Sequence, residues 1–519
     1  MKKFLLSIFL VGALVSSCDM DYIPAGTTDI DDITNFEDIS MLRNHLYSGL
    51  RSATGGSYIA IPDLMADQFV ASLDNGNRNG QIANNLFNTS TSDFESIWNA
   101  CYSRVSTTNF FMMKADSLLK VNDAAIEAGT PEKFTAYELV EINRYIGEAK
   151  FARAYAYFYL FDHFCQHYTA DKANTPALGL PLVKSFNPSK DYHTYCGRST
   201  MEETLAFINQ DLSDAFDALS EYENLYDSSS ATANAVYLNS YAVAAMQARV
   251  ALYTEQWQTA ADKAEYVIES GLFPLVSTEA GYTAMWTTDQ ASELIFVPFA
   301  SESEKYVSSV YDYYNNLQSA NNIDYLPCAN VLTAYWRNDI RASENAGFYG
   351  VLMQGSYMVA PRFVKWPGNN NLGTGRLNRP HPFRSAEMYL TLAEAKYKLN
   401  DDTALKTLNI LIKARCGGTV GEASGTVLEE LIREERATEL IGEGFRLSDL
   451  KRWGLGFIRD TDYSYYDLAF GNTQSIQSML NPVGMSVEYD PNDTRYTWPI
   501  PAAEMDINPQ LSLQQNPGY

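Results

Sequence analysis

Glu435 and Glu439 stand four residues apart and continue the helical stripe of Leu428 and Ile432. At that spacing both carboxylates point the same way, with Cβ atoms about 6 Å apart. Retaining glycosidases hold two carboxyls about 5–5.5 Å apart, so a catalytic pair is one reading. Glycosidase acids, however, face each other across a cleft rather than share one helical turn. The favoured reading is structural: the two acids pair with arginines such as Arg436, Arg446 and Arg452, and no catalytic residue is assigned. His163 and His167, at i and i+4, have a zinc-ligand spacing, but no third ligand or HExxH motif accompanies them. Packing is expected of both. Asp490, Asn492 and Asp493 could help hold a structural calcium, although the loop lacks the EF-hand ligand order and its glycine. With no phosphate-binding glycine loop, nucleophile elbow or CxxC pair, no other cofactor is expected.

A different chemistry is offered by aromatic residues interleaved with amides. Sugars present C–H faces that stack on Trp and Tyr, while their hydroxyls need Asn, Asp and Arg to orient them. Trp336 with Asn338 and Asp339, and Trp366 with Asn369 and Asn370, supply both kinds of group. Trp286 adds a further ring, and Asp74, Asn77 and Arg78 belong to a further polar loop that could line a site. These are the candidate ligand-binding residues. The alternative for each ring is packing beneath a loop, which is the commoner fate of such aromatics.

The third chemistry belongs to a thiol. Lys2 and Lys3 precede an apolar run from Phe4 to Val15, and Val15-Ser16-Ser17-Cys18 follows. Positive charge, short apolar stretch and small residues are the order of a secretory signal. The run is too short for a permanent membrane span. A cysteine directly after the cut resembles the bacterial lipobox, which assigns Cys18 as the acylated N-terminus of the mature chain. An ordinary signal peptide with a chance cysteine is the alternative. Several acyl chains on one residue anchor far more firmly than a single reversible lipid.

The remaining composition suits a body held outside the bilayer. No second apolar run of spanning length follows Ser17 in the 519 residues. Net charge is −25, from 63 acidic and 38 basic residues, and loss of Lys2 and Lys3 makes it more negative. Such a surface repels nucleic acid and anionic headgroups, so neither is an expected partner and membrane contact comes through the lipid alone. With Cys18 lipidated, Cys101, Cys165, Cys196, Cys328 and Cys416 remain, an odd number without close spacing. A disulfide scaffold is not expected.

Positioning these groups falls to helices. Residues 1–17 read as the lipoprotein signal and 18–38 as an acidic, turn-rich tether. In 39–272 helical periodicity dominates: Ile142, Tyr145, Ala149, Ala152, Ala156 and Tyr159 recur at steps of three and four. Tyr241 to Glu269 reads as two short helices around a turn at Glu255–Gln258, with alanines at the crossings, as in a tetratricopeptide unit. A second such pair runs from Ala386 to Arg415, within 385–455. Between them, 273–384 loses the helical period and carries many aromatics, with short strands expected around Leu294–Phe299 and Tyr357–Val364. Residues 456–519 read as irregular, with Pro499, Pro501, Pro509 and Pro517 opposing helix. The expected fold is mostly α, a tetratricopeptide-like helical-repeat scaffold carrying a large loop-rich subdomain.

Longer motifs then agree with one family. Glu434-Glu435-Arg436-Ala437-Thr438-Glu439-Leu440, Gly442-Glu443-Gly444-Phe445-Arg446 and Asp449-Leu450-Lys451-Arg452-Trp453-Gly454 resemble the signature of the SusD/RagB family. Trp498-Pro499-Ile500-Pro501 and the final Asn516-Pro517-Gly518-Tyr519 resemble its C-terminus. Arg153-Ala154-Tyr155-Ala156-Tyr157-Phe158 and Ala386-Glu387-Met388-Tyr389-Leu390 are similar to its helix motifs. The resemblance implies a non-catalytic lipoprotein of the outer membrane, exposed at the cell surface. It is expected to bind an oligosaccharide and to lie on a SusC-type, TonB-dependent transporter. Asp19 and Asp21 resemble the surface-export signal of such lipoproteins. Some relatives bind peptides, as in the RagB branch, so a peptide receptor is the alternative, with a surface glycosidase a more distant one. The family's ligand contacts follow no short shared motif, and none transfers to positions here.

Overall fold

A computed structural model describes residues 33–229, 231–304, 324–335, 338–342, 349–354, 358–373 and 377–519. Cys18, Trp336 and Arg337 lie outside the described residues.

Helices α1 (Phe36–Ala53), α2 (Ser92–Glu127), α3 (Ala136–Phe164) and α4 (Met201–Leu225) build the N-terminal half. Asn35 caps α1 by accepting the Asp38 amide, so helix begins slightly inside the stretch expected as tether. α3 and α4 each start at a capping box, Thr135 with Glu138 and Thr200 with Glu203, in which the N-cap hydroxyl and the acid satisfy each other's amides. The stripe on α3 faces inward as its spacing requires, with Ile142 and Ala149 fully buried. α3 and α4 approach closely because residue 147 is glycine: a Cβ there would stand 2.9 Å from the Ala218 Cβ.

Two helical pairs follow, α5 (Ser240–Tyr253) with α6 (Trp257–Glu269) and α7 (Ser385–Lys398) with α8 (Ala404–Cys416). Each turn passes through a left-handed residue, Glu255 at φ 60° and Asn400 at φ 58°. Ala244, Ala248, Ala260 and Ala264 are fully buried at the crossings. Although 115 positions separate Glu269 from Ser385, α6 packs directly on α7, so the pairs stack as consecutive repeats. The intervening excursion permits this because its ends meet. β2 (Leu294–Phe296) runs antiparallel to β6 (Phe383–Arg384), pairing Leu294 with Arg384 and returning the chain to α7. Helices α9 (Gly425–Glu439) and α10 (Arg446–Trp453) complete the repeat region, with α9 against α7.

The described part of the excursion also holds β3 (Tyr325–Pro327), β4 (Tyr349–Gln354) and β5 (Met358–Phe363). β4 and β5 form an antiparallel ladder, with Tyr349 opposite Phe363 and Gln354 opposite Met358. β3 pairs instead with β1 (Phe69–Ala71), Phe69 opposite Pro327 and Ala71 opposite Tyr325. One correction concerns the C-terminal region, where prolines were expected to oppose helix. Short helices occur at Pro482–Met485 and Ala502–Ile507, the first with Pro482 at its opening position and the second capped by Pro501. Proline at a helix start loses no hydrogen bond, because the first amides have no intrahelical partner.

Candidate functional site

The signature helix α9 has two working faces. Its inner face carries Glu435 and Glu439 into a cluster of buried charges. Arg341 Nη1 lies 2.6 Å from Glu435 Oε1 and 2.8 Å from Glu439 Oε2, while its Nη2 lies 2.7 Å from Asp339 Oδ2. Arg415, from α8, binds Glu439 Oε1 at 2.9 Å and Glu293 Oε2 at 3.0 Å. Arg384 bridges Glu293, Glu439 and Glu443, and Lys365 Nζ sits 2.6 Å from Glu443 Oε1. Burial alone would raise the Glu439 pKa, but Arg415, Arg384 and Arg341 hold it well below the usual carboxylate range. Glu435 is raised by burial, with Arg341 only partly opposing it.

The structural reading of these acids stands, but with different partners. Arg436 pairs with Asp449, Arg446 with Asp67, and Arg452 with Glu394 and Asp449. The arginines that reach Glu435 and Glu439 come from the excursion and α8, distant in sequence and therefore invisible to local spacing. They fasten the excursion to the repeats.

The outer face of α9 borders a cleft of about 570 Å³. Arg433, Glu434, Ala437 and Thr438 form its floor, Asp67 and Gln68 one wall, and Tyr335 and Trp453 the aromatic sides. Arg446 clamps Asp67 through two hydrogen bonds of 2.8 and 2.7 Å. Gln68 Nε2 donates to the Ala437 carbonyl at 2.9 Å, and the Tyr335 hydroxyl donates to the Thr438 carbonyl at 3.2 Å. Trp453 Nε1 donates to Glu394 Oε1 at 2.9 Å. Half-buried rings beside oriented amides and hydroxyls can hold a flat apolar face and pair its polar rim.

The sequence candidates divide around the β1–β3 ladder. Asp74, Asn77 and Arg78 follow β1 at one end, where Arg78 Nη1 binds Asp324 Oδ2 at 3.0 Å and Asp74 and Asn77 are exposed. Asn338 and Asp339 follow β3 at the other end, beyond the cleft residues Asn330 to Tyr335. The two polar groups therefore leave the ladder at opposite ends, and the structure does not bring them into one site. Asn338 is exposed, whereas Asp339 is committed to Arg341 and buried.

Trp286 and Trp366 need correcting. Each is 1% exposed, and their rings meet edge to face at 4.8 Å. Trp366 Nε1 donates to the Gly442 carbonyl at 2.7 Å, and Lys365 Nζ lies 4.6 Å from the Trp286 ring. Neither presents a face on which a sugar could stack. Asn369 is likewise buried, donating to Asp289 Oδ2 at 2.8 Å, while Asn370 beside it is exposed. These rings fill the joint between excursion and signature motif. Sequence reasoning did not select Tyr335, Gln68, Arg433 or Trp453 as ligand residues. The available signal was α9 itself, whose outward positions alternate with its inward acids at helical spacing.

The other candidate ligands are engaged locally. His163 stacks on Trp498 with ring centroids 4.4 Å apart, and burial pushes its pKa down to about 4. His167 Nε2 lies 3.6 Å from Glu255 Oε1. Asp493 accepts two hydrogen bonds from the Arg495 guanidinium, at 2.9 and 2.6 Å, and one from the Arg495 amide at 2.8 Å. Among the described residues no group of three His, Cys, Asp or Glu side chains is placed to hold a metal.

A helical-repeat scaffold with a loop-rich excursion clamped to its signature helix defines a class that known proteins share. The model of the SusD family matches residues 280–519, and one described as starch-binding and associating with the outer membrane matches residues 39–252. The chain belongs to the SusD/RagB family. Starch-binding protein SusD of Bacteroides thetaiotaomicron is 30% identical over 162 residues, which is 30% of this chain and 25% of that protein. The match thus spans about a quarter of the curated relative's length. The crystal structure of a SusD superfamily protein from the same species has 24% identity and a TM-score of 0.74, covering 93% of this chain and 100% of that one. A SusD-like carbohydrate binding protein from Bacteroides vulgatus has 19% identity and a TM-score of 0.70, covering 93% and 98%. At these identities the two structures establish the shared fold.

Proposed function

We propose that this protein is a surface lipoprotein of the outer membrane, anchored through Cys18, that binds a glycan and delivers it unaltered to a SusC-type, TonB-dependent transporter. The observation that carries the reading is the cleft on the outer face of α9, inside a fold shared across the family. Tyr335 and Trp453 offer ring surface there, and Gln68, Asn330 and Thr333 offer neutral polar groups suited to hydroxyls. The names of the starch-binding and carbohydrate-binding relatives point to the same ligand class. Absence of catalysis is supported by the occupation of the tempting acids: Glu435 and Glu439 are tied to arginines and face away from the cleft, and Asp67 is clamped by Arg446. General acid–base cleavage of a glycosidic bond needs two carboxyls free to address one substrate.

Affinity electrophoresis and calorimetry against a panel of neutral polysaccharides test the reading. Binding to at least one, with no reducing ends released on prolonged incubation, is the expected result. Turnover would overturn the receptor reading, and blank glycan screens with a retained peptide would replace the ligand class. Detergent-solubilised membranes should yield a much larger β-barrel partner on co-purification, and C18A should abolish membrane retention.

A further inference from the structure

A second concavity lies away from α9, between the segment joining α3 to α4 and the short helix Ala502–Ile507. Its volume is about 490 Å³, within the range of about 300–1,000 Å³ typical of small-ligand clefts. The linking segment is held rigidly from behind. The Tyr157 hydroxyl accepts the Val183 amide at 2.7 Å, Asn109 Nδ2 donates to the Val183 carbonyl at 2.8 Å, and Arg153 Nη1 donates to the Lys184 carbonyl at 3.2 Å. Arg153 is itself fixed by Asp211 at 2.7 Å. The Tyr102 hydroxyl donates to the Pro181 carbonyl at 3.0 Å, and Asn508 Nδ2 reaches the Cys196 carbonyl at 3.0 Å from the facing wall.

Buried side chains thus satisfy the backbone, while the outward side chains are left available. Ser185 and Asn187 are exposed, line the cleft and make no hydrogen bond among the described residues. Half-buried Tyr102 and Tyr195 stand beside them with Leu182, and Glu504 faces them. Unpaired amide and hydroxyl groups on a held backbone, next to aromatic rings, suit a neutral, hydroxyl-rich ligand, whose binding would order those side chains but not the segment that carries them. A peptide adding as a strand needs an open edge, but the adjoining backbone is already paired: Ser199 donates to Leu180, Gly179 donates to Ser199, and Pro181 bridges Arg198.

We propose that this cleft is a second glycan-binding site, taking a short segment of a neutral oligosaccharide through Ser185, Asn187, Tyr195 and Glu504; the ligand class rests on the proposed function. Two sites on one anchored molecule hold a polymer more tightly than either alone, since the second contact becomes intramolecular. The test is calorimetry on the purified full-length lipoprotein with maltoheptaose, cellohexaose, xylohexaose and mannohexaose. The sugar that binds should occupy two sites per molecule. N187A with Y195A should leave one, and should weaken retention of the matching polysaccharide about 10-fold or more. S185A with N187A changes only exposed side chains, keeps the thermal midpoint, and should weaken the same site. A single site in the native protein, or stoichiometry and retention unchanged in both variants, would overturn the second site while leaving the proposed function intact. A native protein that binds none of the sugars would remove both.

Discussion

Arg341 Nη1 lies between Glu435 Oε1, at 2.6 Å, and Glu439 Oε2, at 2.8 Å. One guanidinium from the excursion therefore occupies both acids of the signature helix. The residues that most resemble a catalytic pair are instead the clasp that fastens the excursion to the repeats.

Removing one member of this clasp should expose its structural role. E439Q leaves Arg341, Arg384 and Arg415 short of a shared counter-charge, and breaking a buried pair costs about 3–5 kcal/mol. Chemical denaturation should show a loss of that order, with faster proteolysis within 273–384. An unchanged unfolding midpoint would mean the clasp contributes nothing to holding the excursion.

Acid should weaken the fold in two stages. Burial keeps the folded His163 pKa at about 4, against an ordinary value of 6.5. The unfolded chain therefore takes up the proton first, so this contribution is complete above pH 6.5 and lost as pH falls towards 4, on the order of 3 kcal/mol. Glu394 follows: burial would raise it, but Arg452 holds its carboxyl down to about 2. Its contribution is complete above its ordinary 4.5 and disappears as pH falls towards 2. H163Q should flatten the stability profile between pH 4 and 6.5 while leaving the lower stage intact, as urea titrations across pH would read.

The two kinds of tryptophan and tyrosine should separate experimentally. W366A removes a ring that is 1% exposed and should cost about 3–5 kcal/mol of stability. Y335A removes a half-buried ring at the cleft and should weaken glycan affinity up to about 10-fold with little effect on stability. Parallel calorimetry and thermal unfolding of both variants would check this. If Y335A left affinity untouched, the cleft on α9 would lose its assignment.

Close approach of α3 and α4 offers a packing test. A methyl at residue 147 would meet the Ala218 Cβ at 2.9 Å, tighter than carbon atoms tolerate. G147A should therefore destabilise by about 1–3 kcal/mol despite the higher helix propensity of alanine. A stabilised variant would show that the helices separate freely there.

The sequence alone determined the elements whose cause is local. Apolar spacing marks the buried stripe of α3, and alanine spacing with a turn marks the α5–α6 and α7–α8 pairs, because a helix needs only its own periodicity to reveal a face. The Thr135 and Thr200 capping boxes are equally local. Family membership was legible too, since the motifs lie in contiguous runs. Partner choice was not. Nothing near Glu439 in the chain announces Arg341, Arg384 or Arg415, and nothing near Trp366 announces Trp286 or the Gly442 carbonyl. An aromatic next to three asparagines reads identically whether it lines a site or fills a joint. Only the return of the excursion through β2 and β6, which brings α6 onto α7 and draws the tryptophans inward, decides between those fates. Burial depends on what arrives from elsewhere in the chain, and that is settled by tertiary packing.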